Sequence, residues 1–231
     1  KTFPKYSYFK TSRKLAINSS IFNFNDILKS FELHRFRGTE YDLLTNRFSI
    51  KNAKNYKSKI VYDSIKNKKK FKSILKKNKN IILKNSAMLR ANYTKYVKSE
   101  ISDSKNVAFI DQGFNGTVQS KMSRLLNKNF FGFYFCSKKK NKHHTGLFHY
   151  KNSHFYNLQP FFESLFTAPH GTYVSMSSDK FICEEKKRNQ KMFLFKKKIY
   201  NGIEYFVKEF NKIHRIDVMQ KKEIDNDLII I

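Results

Sequence analysis

The run Val107-Ala-Phe-Ile-Asp-Gln-Gly-Phe-Asn-Gly-Thr-Val-Gln119 decides how this chain is read. Four apolar residues lead straight into Asp111. Gly113 and Gly116, two of the chain's seven glycines, follow with two residues between them, and then a hydroxyl at Thr117. This pattern predicts a buried strand, a tight polar loop and the start of a helix. Such a junction can hold an anion or a catalytic acid, because free backbone N–H groups gather where a helix begins.

On the C-terminal side, Val118, Met122, Leu125 and Leu126 fall on one face of a helix. Thr117 or Asn115 is expected to cap its first turn. Asn127 to Asn129 ends it, and Phe130-Phe-Gly-Phe-Tyr-Phe-Cys136 reads as an aromatic-rich buried strand. Residues 106–136 therefore make one βαβ unit, with a right-handed crossover and parallel strands. The fold expected from it is α/β and Rossmann-like, a mostly parallel sheet flanked by helices, with residues 1–231 as a single domain.

On the N-terminal side, Ile81 to Val97 recur near the helical period, and helices are also predicted over 24–36 and 60–76. The first of these is expected to be capped by Asn25 or Asp26. Alternation through Tyr6, Tyr8 and Phe9 suits a short strand that ends at Ser12, Arg13 and Lys14, three polar groups placed to grip an anion. Beyond the central unit, 137–157 reads as a basic, His-containing insertion. A short helix follows over 158–166, a loop is forced by Pro169 and Gly171, a strand covers 172–177, and a long amphipathic helix covers 190–213. Residues 223–227 look like the start of a further segment.

Composition narrows the function classes. The formal net charge of +29 points to anionic partners, but Lys far outnumbers Arg, and the planar Arg fork is what reads phosphates and bases in pairs. Lysine runs such as 68–70 and 138–140 read as solvated surface, and no motif accompanies the charge, so nucleic acid is set aside. Cys136 and Cys183 lie far apart and form no metal-type pair, and His143, His144, His149 and His154 match no ligand spacing. No metal site is expected from them. Free thiols and no spanning segment suggest a cytoplasmic protein, peripheral to a membrane if its basic surface meets one. The chain opens on Lys1 and closes on three Ile, so it is expected to be a fragment of a longer protein.

The central run is not a P-loop, because Gly-Lys-Ser/Thr is absent. Against the Asp-x-Asp-Gly-Thr of haloacid-dehalogenase phosphatases, Asp111 stands at the first Asp but Gly113 replaces the second. A broader resemblance covers three blocks in order. Phe109-Ile-Asp-Gln-Gly-Phe-Asn-Gly-Thr-Val-Gln119 resembles an Asp-x-Gly-Trp-x-Gly-Thr-x-Gln signature. Ser12-Arg13-Lys14 resembles a Ser-Arg-Lys that precedes it. Glu163-Ser-Leu-Phe-Thr-Ala-Pro-His-Gly-Thr172 resembles a later Glu-x-Leu-Phe-Ser-Ala-Pro-x-Gly-Ser block. These blocks are similar to the C-terminal region of large bacterial proteins described as predicted hydrolases of the haloacid dehalogenase (HAD) superfamily, found with surface-polysaccharide and glycosyltransferase genes. Phe114 and Gln112 depart from that signature.

The resemblance implies a phosphorylated sugar or nucleotide-sugar as ligand. It implies a pocket of Ser12, Arg13, Lys14, Gly113, Asn115, Gly116, Thr117 and Gln119, with Asp111, Glu163 and His170 as catalytic groups and Mg2+ as a cofactor to test. The alternative function is a non-catalytic scaffold that docks a glycosyltransferase or an anionic membrane surface. In that case Asp111 only caps a loop.

Overall fold

The computed structural model describes residues 5–32, 35–50, 59–102, 104–113, 115–138, 141–149, 157, 168, 170–185, 192–214 and 228–230. In chain order, a two-residue strand β1 (Lys5–Tyr6) precedes helices α1 (Arg13–Ser19) and α2 (Phe24–Lys29). Strand β2 (Arg37–Gly38) leads to α3 (Glu40–Asp42), which continues as a π-helical turn over Leu43–Arg47. Strand β3 (Tyr62–Asp63), α4 (Lys68–Lys77) and the long α5 (Lys79–Ile101) follow. The central unit is β4 (Asn106–Asp111), α6 (Thr117–Leu126) and β5 (Phe131–Ser137). Then come β6 (His144–His149), the hairpin β7 (Tyr173–Ser177) and β8 (Lys180–Cys183), α7 (Phe193–His214) and β9 (Leu228–Ile230).

The main sheet has the order β1-β9-β4-β5-β6, and every neighbouring pair in it is parallel. Three strands carry most of its length. In β4 and β5, Phe109 lies opposite Gly132 and Asp111 opposite Tyr134, the parallel βαβ unit expected from 106–136. The fold class is thus α/β with a parallel sheet flanked by helices.

Two hydrophobic clusters share one helix. Leu89, Tyr93, Val97 and Ile101 on α5 pack with Leu15 and Ala16 of α1, Met122 of α6, and Val107 and Phe109 of the sheet. About two turns earlier on the same helix, Ile82 joins a second cluster with Ile27, Leu43, Leu44, Phe71 and Leu75. The long helix forms because its 23 residues contain neither Gly nor Pro, and it acts as the spine of both cores. Asn78 ends α4 and starts α5, and its side chain donates to Glu40 at 2.7 Å. With Lys77 it satisfies a carboxylate that is otherwise buried.

Several expectations change. The helix expected over 24–36 is Phe24–Lys29, and its cap is Asn23, with Asp26 closing the capping box from the third helical position. The basic insertion is in part a sheet strand: His144 to His149 pair with Gly132 to Ser137. Lysines in the flanking segments hid that strand from a reading by charge. The segment 60–76 splits into β3 and α4. The C-terminal Leu228–Ile230 inserts between β1 and β4, which a local reading had no means of finding. The helix expected over 158–166 and the segment 223–227 lie outside the described residues. Among the described residues, no helix is long and apolar enough to cross a membrane.

Candidate functional site

Asp111 ends β4 at the carboxyl edge of the sheet and is exposed. Its side chain turns back to accept the Gly113 N–H at 3.2 Å, a short local loop that an acid favours. Asn115 is exposed, and Gly116 takes φ 58°, ψ 37°, the left-handed region. A side chain at Gly116 would lie 2.7 Å from the His144 ring and 2.9 Å from the Tyr134 hydroxyl. Glycine is therefore required there twice over, by backbone and by space. Gly113 has no such constraint, since its nearest neighbour would be Asp111 Oδ2 at 3.3 Å. Thr117 opens α6. The expected cap is absent: Gly116 holds the cap position and supplies no side-chain acceptor, whereas α1, α2 and α3 begin on Ser12, Asn23 and Thr39. The first turn of α6 therefore presents backbone N–H groups at a strand end.

Below the loop lies a buried polar network. The Gln119 amide donates to the carbonyls of Phe130 (2.6 Å) and His143 (2.5 Å), and its oxygen accepts from the Tyr134 hydroxyl at 2.8 Å. His144 Nδ1 lies 3.3 Å from the same oxygen, while Nε2 lies 2.6 Å from Ser137 Oγ. A neutral imidazole with its proton on Nδ1 satisfies both contacts, with Ser137 donating to Nε2. The Tyr134 and His144 rings stack at 4.1 Å. Burial raises the Tyr134 hydroxyl well above the usual phenol range, and the Asp111 carboxylate adds to this, so the hydroxyl stays a donor. Gln119, expected as a ligand contact, spends its amide on the two strands and α6 and supports the loop from beneath. Tyr134, Ser137 and His144 were missed. The signal that could have found Tyr134 is the period-2 face Gly132, Tyr134, Cys136, which in a βαβ unit can turn toward the crossover helix; Ser137 and His144 carry no such local signal.

The other two sequence blocks meet each other elsewhere. Ser12 caps α1 by accepting the Leu15 N–H at 3.0 Å, and its hydroxyl donates to the Tyr173 carbonyl. Lys14 pairs with Glu184 at 2.7 Å, and Arg13 is exposed. His170 Nδ1 lies 2.8 Å from its neighbour's carbonyl, Gly171 O, which places the proton on Nδ1. Its Nε2 then accepts the Tyr8 hydroxyl at 2.8 Å. Desolvation, with Tyr173 and Cys183 nearby, pushes the Tyr8 hydroxyl up to about 12. Tyr8 is therefore a proton donor to His170, not a nucleophile at neutral pH.

Ser12, Lys14 and His170 thus come together around the β7–β8 hairpin, and Asp111, Gly116 and Thr117 around the start of α6. The two groups are linked through the core, where Phe9 packs edge-on against Phe109 at 5.5 Å. No hydrogen bond, ion pair or ring contact joins Asp111 to Ser12, Arg13 or His170 among the described residues. Glu163 lies outside the described residues. No group of three or more His, Cys, Asp or Glu side chains converges among the described residues. Asp111 supplies the one carboxylate of this loop, and its Oδ1 already accepts the Gly113 N–H, so Mg2+ would draw the rest of its octahedron from ligand oxygens and water. Chemically, the described arrangement can receive an anion; it does not assemble an acid–base pair.

Comparison with protein-family models, with curated proteins and with solved structures returns no match.

Proposed function

We propose that this domain binds a phosphorylated sugar or nucleotide-sugar over the Asp111–Thr117 loop, on a Rossmann-like plan. The observation that carries the reading is the start of α6: a left-handed Gly116 with no side-chain cap, at the carboxyl end of a parallel strand. Ligands of open parallel sheets favour that edge, and uncapped N–H groups favour phosphate. Asn115 and Thr117 would hydrogen-bond the phosphate. Arg13, exposed at the start of α1, would add charge, while Lys14 is already paired with Glu184; Gln119 would hold the loop in shape. The polysaccharide setting, the hydrolase or transferase chemistry and the catalytic use of Asp111 with Glu163 or His170 rest on the HAD-type resemblance alone.

The test is a titration of the isotope-labelled chain with glucose 1-phosphate, UDP-glucose and glucose, followed by backbone amide shifts. Saturable shifts at Gly113, Asn115, Gly116 and Thr117 with the two phosphorylated ligands, and none with glucose, are expected. Shifts confined to surface lysines would overturn the reading. Sugar-phosphate turnover unchanged by Asp111→Asn would remove its catalytic form.

A second reading is favoured by α7. Leu194, Phe195 and Phe206 are exposed on this helix, which also carries Lys197, Lys198, Lys208 and Lys212. A basic helix with exposed aromatic residues suits the face of an anionic membrane. Salt-sensitive binding to phosphatidylserine vesicles that Phe195→Ser and Phe206→Ser abolish would support this scaffold role. Binding indifferent to both changes would sink it.

A further inference from the structure

Ile60, Val61 and Ile65 flank the two-residue strand β3, and each is more than half exposed. A single exposed aliphatic side chain is ordinary, but three around one short strand are not. Ile65 lies in the turn from β3 to α4, where Gly, Pro, Asn, Asp or Ser is usual. The turn is firmly built. The Asp63 carboxylate accepts the N–H groups of Ile65 (2.9 Å) and Lys66 (3.0 Å) and pairs with Arg35, and the Asn67 N–H donates to the Asp63 carbonyl at 3.2 Å. Ile65 is therefore held in water by a closed set of hydrogen bonds, not left there by a loose loop.

Charge gathers at the same corner. Residues 59–72 hold six lysines and one acid, Asp63, which Arg35 neutralises. All six lysines are exposed. Their charge does not serve the helix. Lys68, Lys69 and Lys70 stand in the first turn of α4, which has no acid, and a cation there opposes the helix dipole. Lys68 and Lys72, one turn apart, line a cleft of about 390 Å³ with Ile65, Phe31 and Phe71, so charge and apolar surface meet at one place. Glu32 and Arg35 line it as well. Taken alone, the run 68–70 is solvated surface; beside Ile65 it is the basic rim of an apolar patch.

We propose that this corner docks the chain on a membrane surface that carries anionic phospholipid. The lysines lie over the headgroup phosphates, and Val61 and Ile65 enter the boundary with the acyl chains. Two features favour a bilayer over a nucleic acid. Aliphatic side chains have no flat ring to stack on a base, and the cations are lysines, point charges without the paired donors of arginine. The corner shares its partner with the α7 reading and none of its residues.

The chain contains no tryptophan, so one introduced indole is a clean reporter. Full-length Ile65→Trp and, separately, Leu194→Trp on α7 are mixed with phosphatidylcholine vesicles with and without phosphatidylserine. The indole at position 65 should shift its emission to the blue only with phosphatidylserine, and brominated acyl chains should quench it. In co-sedimentation, Ile65→Ser should weaken partitioning by about tenfold, the scale of one aliphatic side chain returned to water. Lys68→Gln and Lys72→Gln should each weaken it by about fivefold, the scale of one lysine at an anionic surface. Lys105→Gln and Lys180→Gln remove the same charge at exposed positions elsewhere and should leave it near native. An unchanged melting temperature in each variant shows that the fold is kept. A blue shift at position 65 alone would keep the corner and remove the α7 reading, and a shift at position 194 alone would overturn the corner. Equal weakening by the two lysine pairs, or binding indifferent to Ile65→Ser, would reduce the corner to general charge attraction and overturn it as well.

Discussion

Arg124 of α6 and Asp26 of α2 are joined by two parallel hydrogen bonds, at 2.6 and 2.8 Å. The same carboxylate accepts the N–H groups of Phe22 (2.9 Å) and Asn23 (3.2 Å), so one acid both starts α2 and ties it to α6. The Phe22 ring lies under two guanidinium groups, Arg90 at 4.1 Å and Arg124 at 5.0 Å. The Asp26–Arg124 pair connects α2 to α6, and Arg90 of α5 shares the Phe22 ring with it.

Removing Asp26 leaves Arg124 and two backbone N–H groups unpaired near the interior. Asp26→Ala should cost about 3 kcal/mol, the scale for breaking one partner of a buried pair. Arg124→Met keeps the packing and should cost less. A double-mutant cycle by urea unfolding should return a coupling of about 1–2 kcal/mol. Strict additivity would mean that the two side chains do not act on each other.

Acid should weaken the fold through three carboxyls. Burial alone would raise Asp26, but the Arg124 side chain and the Phe22 and Asn23 N–H groups together hold it below the usual carboxylate range. Arg35 and the backbone of Lys66 and Ile65 hold Asp63 well below it, and Thr39 lowers Asp42. A depressed folded value means the unfolded chain binds protons more readily. The stabilisation is full above the unfolded value of about 4 and is lost as pH falls through the folded values. Through these three groups, melting temperature should drop as pH falls below about 4. Asp63→Asn and Asp26→Asn should each shallow that drop, and a profile unchanged in both variants would discard the assignment.

The two loop glycines should respond differently to alanine. At Gly116 the new Cβ meets His144 at 2.7 Å in a left-handed backbone, so Gly116→Ala should destabilise by about 2–4 kcal/mol. At Gly113 the nearest atom is a movable carboxylate oxygen 3.3 Å away, and the change should stay within about 1 kcal/mol. Equal losses measured by thermal unfolding would contradict the loop geometry.

Gln119→Leu keeps the volume and deletes the hub between α6 and two strands. The carbonyl of Phe130 and the hydroxyl of Tyr134 lose this partner, and the His143 carbonyl keeps the Gly132 N–H. A loss of about 3 kcal/mol is expected. Slow hydrogen exchange at β5 should be lost with it, whereas a small loss with intact protection would show that water replaces the amide.

The α/β class, the parallel β4–α6–β5 unit and the spine helix were legible from the sequence, because each rests on local periodicity and on punctuation by Gly113, Gly116 and Asn127. The loop conformation was legible in part: a left-handed Gly116 follows from its place, but the missing cap at Thr117 does not. What only the tertiary structure decided is which residues share a neighbourhood. Ser12 and His170 are 158 positions apart in the numbering and meet through the β7–β8 hairpin. Asp111, expected to join them, is held at the end of a different strand. His144 changed from one histidine of a basic insertion into a buried partner of Gln119, because strand pairing is set by long-range hydrogen bonds that no local pattern encodes. A sequence of 231 residues can state its periods and its turns. Which strand lies beside which, and therefore which side chains converge, depends on burial summed over the whole chain.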